Sequence, residues 1–152
     1  TSRCGHRVVI VIVGHGPSAY QLTPDFLEQH TVVRLGKDEK PKVKSLVEVI
    51  GDKADIVCSF SPLHQRKNAL FWCLAGPLRQ FCIDKLKPFN PTFAKPSLGV
   101  SAALIARDKY PDSEIAVSGF DTTLNPEKAA EGWVHDSYAE NACLRNLTVI
   151  EL

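Results

Sequence analysis

Hydrophobic positions along this chain fall into short runs separated by stretches of helical spacing. Val8-Val9-Ile10-Val11-Ile12-Val13 is β-branched throughout, the composition of a central strand buried on both faces, and the glycines after it allow a tight exit. Thr31 to Leu35 and Asp55 to Phe60 read as further strands, Glu114 to Ser118 as a buried strand ending at Gly119, and Leu147 to Leu152 as the last. Between them, Thr23-Pro24-Asp25 has the form of an N-cap followed by proline at the first helical position. Val43, Leu46, Val47 and Ile50 recur at helical spacing over Lys42 to Ile50, with Gly51 as a stop. Lys67 to Leu74 reads as a helix that breaks near Gly76-Pro77, Ser97 to Asp108 as a helix capped by Ser97, and Asp136 or Ser137 as the cap of a final helix through Asn146.

Strands alternating with helices predict an α/β fold, a single Rossmann-like three-layer domain over residues 1–152 with a mostly parallel sheet. Ligands in such sheets bind beyond the carboxyl ends of the strands, at a topological switch point. The segments after Val13, after Leu35 and after Ser118 are therefore where chemistry is expected.

Composition adds boundaries. A length of 152 residues with 44% apolar content supports one domain with a real core. Eighteen basic and 17 acidic side chains leave a formal charge of +1, so no global electrostatic attraction to nucleic acid or an anionic membrane is expected. The five cysteines are odd in number and include no Cys-x-x-Cys pair, which predicts reduced thiols in a cytoplasmic protein. The longest apolar run, Val8 to Val13, is too short for a transmembrane segment.

Four segments carry candidate chemistry. Gly14-His15-Gly16-Pro17-Ser18 can offer backbone N–H groups and a hydroxyl to a phosphate or nucleotide, or can be a plain turn. Pro96-Ser97-Leu98-Gly99-Val100-Ser101 places hydroxyls and N–H groups at a helix start, where the dipole favours a carboxylate or phosphate; a simple serine cap is the alternative. Asp121, after Ser118-Gly119-Phe120, either accepts bonds from ligand hydroxyls or caps the following turn. His135 and Glu140 put a proton acceptor at a helix entrance with a carboxylate about a turn and a half further on. His64, within His64-Gln65-Arg66-Lys67, reads as part of an exposed basic helix start. The sequence has no Asp-x-Asp, His-Glu-x-x-His or Gly-x-Ser-x-Gly, which disfavours divalent-metal glycosyl transfer, zinc hydrolysis and serine-esterase chemistry respectively.

Taken in order, these segments resemble the sialyltransferases over most of the chain. Arg7 through Ser18, with Thr31-Val32-Val33-Arg34-Leu35 and Ile50-Gly51-Asp52-Lys53, is similar to the large sialyl motif of the animal-type enzymes, and Gly16-Pro17-Ser18 is closer to the bacterial ones. Pro96-Ser97-Leu98-Gly99 followed by Glu114 through Asp121 is similar to the small sialyl motif, and Val134-His135-Asp136 with Glu140 to the His-x4-Glu motif. The resemblance implies a metal-independent, inverting transferase that needs no cofactor and moves a sugar acid from a CMP-activated donor to a glycan acceptor. It implies that Gly14, His15, Gly16, Pro17, Ser18 and Arg34 hold the nucleotide, that Ser97, Leu98, Gly99, Gly119 and Asp121 complete the donor site, and that His135 is the base, with Glu140 orienting its helix.

The chain departs from the family at His15 and Gly36, where asparagines are usual, and between Asp121 and Val134, where a His-Tyr motif is absent. Two other readings stay open: an ATP- and magnesium-dependent pterin diphosphokinase-like enzyme, which shares the Gly-x-Gly-Pro-Ser turn, and a nucleotide- or glycan-binding module of the same fold without turnover.

Overall fold

The computed structural model of the chain describes residues 8–36, 45–128 and 135–152. Arg7, Lys42 to Lys44 and Val134, which the readings above include, lie outside them.

Six parallel strands form one sheet in the order β4-β3-β2-β1-β5-β6: β1 (Ile10–Val13), β2 (Thr31–Leu35), β3 (Ile56–Ser59), β4 (Leu70–Cys73), β5 (Ile115–Ser118) and β6 (Ile150–Glu151). The β-branched run takes the centre, with β1 in register with β2 (Ile10 opposite Thr31) and with β5 (Ile10 opposite Ile115). Alternation of side chains divides its residues between the two faces. Ile10 and Ile12 join Val33, Leu35, Ile56, Cys58, Ile115 and Val117 in the larger core, whereas Val11 and Val13 pack with Val32, Leu27, Leu46 and Ile50 in the smaller one. Truncating a fully buried residue such as Ile12 to alanine is worth about 2–5 kcal/mol.

Helices cover both faces, as the alternation predicts. The smaller core is roofed by α1 (Pro24–Glu28) and α2 (Leu46–Ile50), and the larger by α3 (Gly76–Leu86), α4 (Leu98–Lys109) and α6 (Ser137–Asn146); α5 (Asp121–Leu124) is a single turn after β5. The steps from β1 to β2 to β3 use one face and the return from β4 to β5 and β6 the other, the arrangement that right-handed crossovers impose on a parallel sheet. Three caps fall where the sequence puts them: the side chains of Thr23, Ser97 and Asp136 accept backbone N–H groups in the first turns of α1, α4 and α6. The helix expected over Lys42 to Ile50 starts only at Leu46, because the extended Ser45 caps it by accepting the Glu48 N–H.

Another segment differs in type. The expected helix over Lys67 to Leu74 is instead edge strand β4, and Gly76-Pro77 opens α3 rather than ending a helix. Leu70-Phe71-Trp72-Cys73 contains two adjacent aromatics that favour a pleated surface, and proline is well placed in a first helical turn because that N–H has no partner inside the helix. Among the described residues no helix is long and apolar enough to cross a membrane.

Candidate active site

The strand order reverses at β1. The chain leaves it toward β2 and later returns to place β5 on its other side, so the loops after Val13 and after Ser118 meet at the carboxyl edge of the sheet. A cavity of about 570 Å³ opens there, within the range of small-molecule sites. It is lined by Gly14, His15, Gly16 and Pro17 after β1, by Ser97, Leu98 and Gly99 at the start of α4, by Gly119, Phe120 and Asp121 after β5, and by His135. Three expected site residues do not line it: Ser18, Arg34 and Glu140.

Ser18 is turned toward Asp121. Its hydroxyl donates to Asp121 Oδ1 at 2.8 Å and accepts the Gly119 N–H at 2.9 Å, and its own N–H donates to Asp121 Oδ2 at 3.1 Å. The Gly16 N–H donates to the Gly119 carbonyl at 2.9 Å. The glycines make this contact possible: a Cβ on Gly14 would lie 2.5 Å from the Gly119 oxygen, and one on Gly119, whose φ is +80°, 2.6 Å from the Gly14 oxygen. Close approach is thus used by one loop on the other. Gly99 has a comparable role, since a Cβ there would meet the Phe120 ring at 3.0 Å.

Arg34 belongs to the opposite face of the sheet. It follows Val32 and Val33 in β2, alternation sets it with Val32 away from Leu35, and its Nη1 donates to the Gly51 carbonyl at the end of α2 at 3.1 Å. Lys53 does the same for α1, donating to the carbonyls of Leu27, Glu28 and His30 at 3.1, 3.2 and 2.7 Å, where a cation suits the helix dipole.

Glu140 lies behind the cavity wall and joins two helix starts. Only 1% exposed, it accepts the Ser97 N–H and the Ser97 hydroxyl, both at 2.7 Å, while Ser97 Oγ accepts the Val100 N–H at 3.4 Å. Burial pushes the Glu140 carboxyl above its ordinary range, opposed by the two Ser97 bonds and by the nearby His135. Asp136 is held below the usual carboxylate range by the N–H groups of Thr92, Ala139 and Tyr138. His135 Nδ1 stands 3.1 Å from the Lys95 carbonyl and 3.9 Å from Glu140 Oε2. Both neighbours are acceptors, so Nδ1 carries the proton and, in the neutral ring, Nε2 carries the lone pair.

The β3 side of the cavity was not expected from sequence. Ser59, Phe60, Ser61 and His64 line it, with His64 Nδ1 hydrogen-bonded to Ser59 Oγ through a 3-10 turn at Pro62–His64. Ser59 ends a strand of the same parallel sheet, and the reasoning applied after Val13 and Ser118 holds equally there. Among the described residues no group of three His, Cys, Asp or Glu side chains comes together to hold a metal.

The chain matches no family model, no curated protein and no solved structure.

Proposed function

We propose that this chain is a metal-independent, inverting glycosyltransferase of the sialyltransferase type, taking a sugar acid from a CMP-activated donor to a glycan acceptor. The observation that carries the reading is that the Gly14 loop, the Ser97–Gly99 helix start, the Gly119–Asp121 loop and His135, four segments far apart in sequence, line a single cavity at the strand-order reversal.

In this reading the donor's phosphate departs from a crowded tertiary carbon, leaving an oxocarbenium-like centre while negative charge grows on the phosphate oxygen. The first turn of α4 contributes N–H groups at Leu98 and Gly99 that have no carbonyl partner within the helix, a fixed positive end for the donor's anionic groups. The acceptor oxygen attacks from the opposite side and gives its proton to His135 Nε2. Lys95 and Glu140, both facing Nδ1, hold the proton of the neutral ring on that nitrogen. Glu140 acts as a positioning residue through Ser97, which ties the donor-binding turn to the helix that follows His135.

A binding module without turnover is the second reading. The Ser18–Asp121 contact favours it, because it occupies a hydroxyl and a carboxylate that would otherwise face a ligand. Titration calorimetry with CMP, compared with ATP plus magnesium, tests the nucleotide assignment. Selective binding of CMP, retained in His135→Ala, is expected. Binding of ATP in preference to CMP contradicts it.

A further inference from the structure

Two of the histidines that line the cavity, His64 and His135, are both held through Nδ1 but in opposite roles. Ser59 is 2% exposed, and its Oγ accepts the Ser61 N–H at 3.2 Å. The hydroxyl proton of a buried serine needs an acceptor, and among the described residues the partner in reach is His64 Nδ1. Nδ1 therefore accepts, and the proton of the neutral His64 ring sits on Nε2. At His135 the assignment is reversed: Nδ1–H donates to the Lys95 carbonyl. Gly36 keeps the space beside His64 open, since even a Cβ there would stand 3.7 Å from His64 Nδ1 and 3.3 Å from Leu98.

We infer that His64 is a second catalytic residue, a neutral imidazole whose Nε2–H donates a hydrogen bond to the departing phosphate of the CMP-activated donor while His135 accepts the proton of the attacking hydroxyl. The inference rests on the function proposed above. The bond between the anomeric carbon and the phosphate oxygen breaks with its electron pair on the oxygen, which becomes CMP. The acceptor oxygen forms the new bond to carbon, and its proton passes to His135 and from there to water. His64 keeps its own proton throughout. A donor fixed in advance where charge develops is worth about 100- to 1000-fold in kcat, so His64→Ala should lose turnover on that scale.

The assignment is tested first without a ligand, by ring nitrogen-15 NMR of the folded wild-type chain at a pH where both rings are neutral. His64 protonated on Nε2 and His135 on Nδ1 is the expected result, and His64 protonated on Nδ1 overturns the inference. Calorimetry with CMP and with cytidine then isolates the phosphate contact. His64→Ala should weaken CMP about tenfold with cytidine affinity unchanged, which also shows that the variant is folded, and His64→Gln, which keeps an N–H near the Nε2 position, should recover most of the loss. If wild type binds CMP and His64→Ala binds it equally well, the role of His64 is wrong and the nucleotide reading stands. If wild type binds no CMP, both fall.

Discussion

Glu140→Ala should loosen the junction between α4 and α6 more than any other single truncation at the cavity wall. The carboxylate is 1% exposed and accepts two bonds at 2.7 Å from one residue, Ser97. Hydrogen bonds to a charged group contribute about 1.5–3 kcal/mol each. Ser97 lines the cavity, so water can reach the N–H and hydroxyl freed by the truncation, which places the loss near the lower end, about 3 kcal/mol for the pair. For a chain of this length that corresponds to a fall of roughly 6–12 °C in Tm. Glu140→Gln keeps one acceptor for the Ser97 N–H and should cost about 1 kcal/mol.

The pH dependence has a definite sign. Burial raises the Glu140 carboxyl above its ordinary 4.5, so just above that pH the folded chain holds a proton that the unfolded chain has released. Its contribution to stability is full below pH 4.5 and declines as pH rises through the raised folded value. Thermal and urea unfolding of wild type, Glu140→Ala and Glu140→Gln between pH 4 and pH 8 checks both points, with the wild-type advantage over Gln shrinking as pH rises. A Tm for Glu140→Ala within about 2 °C of wild type at pH 7, or a wild-type advantage over Gln that grows with pH, would refute the reasoning.

Gly119→Ala should destabilise by at least about 2 kcal/mol, because φ is +80° and the added Cβ would lie 2.6 Å from the Gly14 oxygen; urea midpoints measure it. Burial pushes the thiols of Cys82 and Cys143 up to about 11 and raises Cys58 further, so a thiol reagent at pH 8 should leave these three unmodified in the native chain and label them only in denaturant, as peptide mass mapping would show.

How far the sequence could be read depended on whether the signal was local. The β-branched run of β1 and the serine, threonine and aspartate caps act within a few residues of themselves, and β1, β2, β5, α4 and α6 stand where those signals put them. Leu70 to Cys73 was ambiguous because a four-residue apolar run has no resolvable period, and the residues it pairs with lie fourteen positions earlier. At the site, the turns after Val13 and Ser118 and the start of α4 were recognisable as the ends of elements in a parallel sheet. Arg34 shows the limit of that logic: it stands next to the carboxyl end of β2, yet alternation gives that edge to Leu35, which lines the cavity. His64 was hidden for another reason. Nothing in His64-Gln65-Arg66-Lys67 reveals that a 3-10 turn brings the ring back to Ser59 five residues earlier. The Gly14 and Gly119 signals were visible, but glycine marks close approach without naming the partner, and here the partner is the other loop.

The most direct test of the proposed chemistry is release of CMP from CMP-sialic acid, with EDTA present and no acceptor added, so that water takes the acceptor's place. Wild type should release CMP measurably, and His135→Ala should release it at least about 100-fold more slowly, with CMP affinity unchanged. Release that EDTA abolishes, or that survives the loss of His135, would contradict that chemistry.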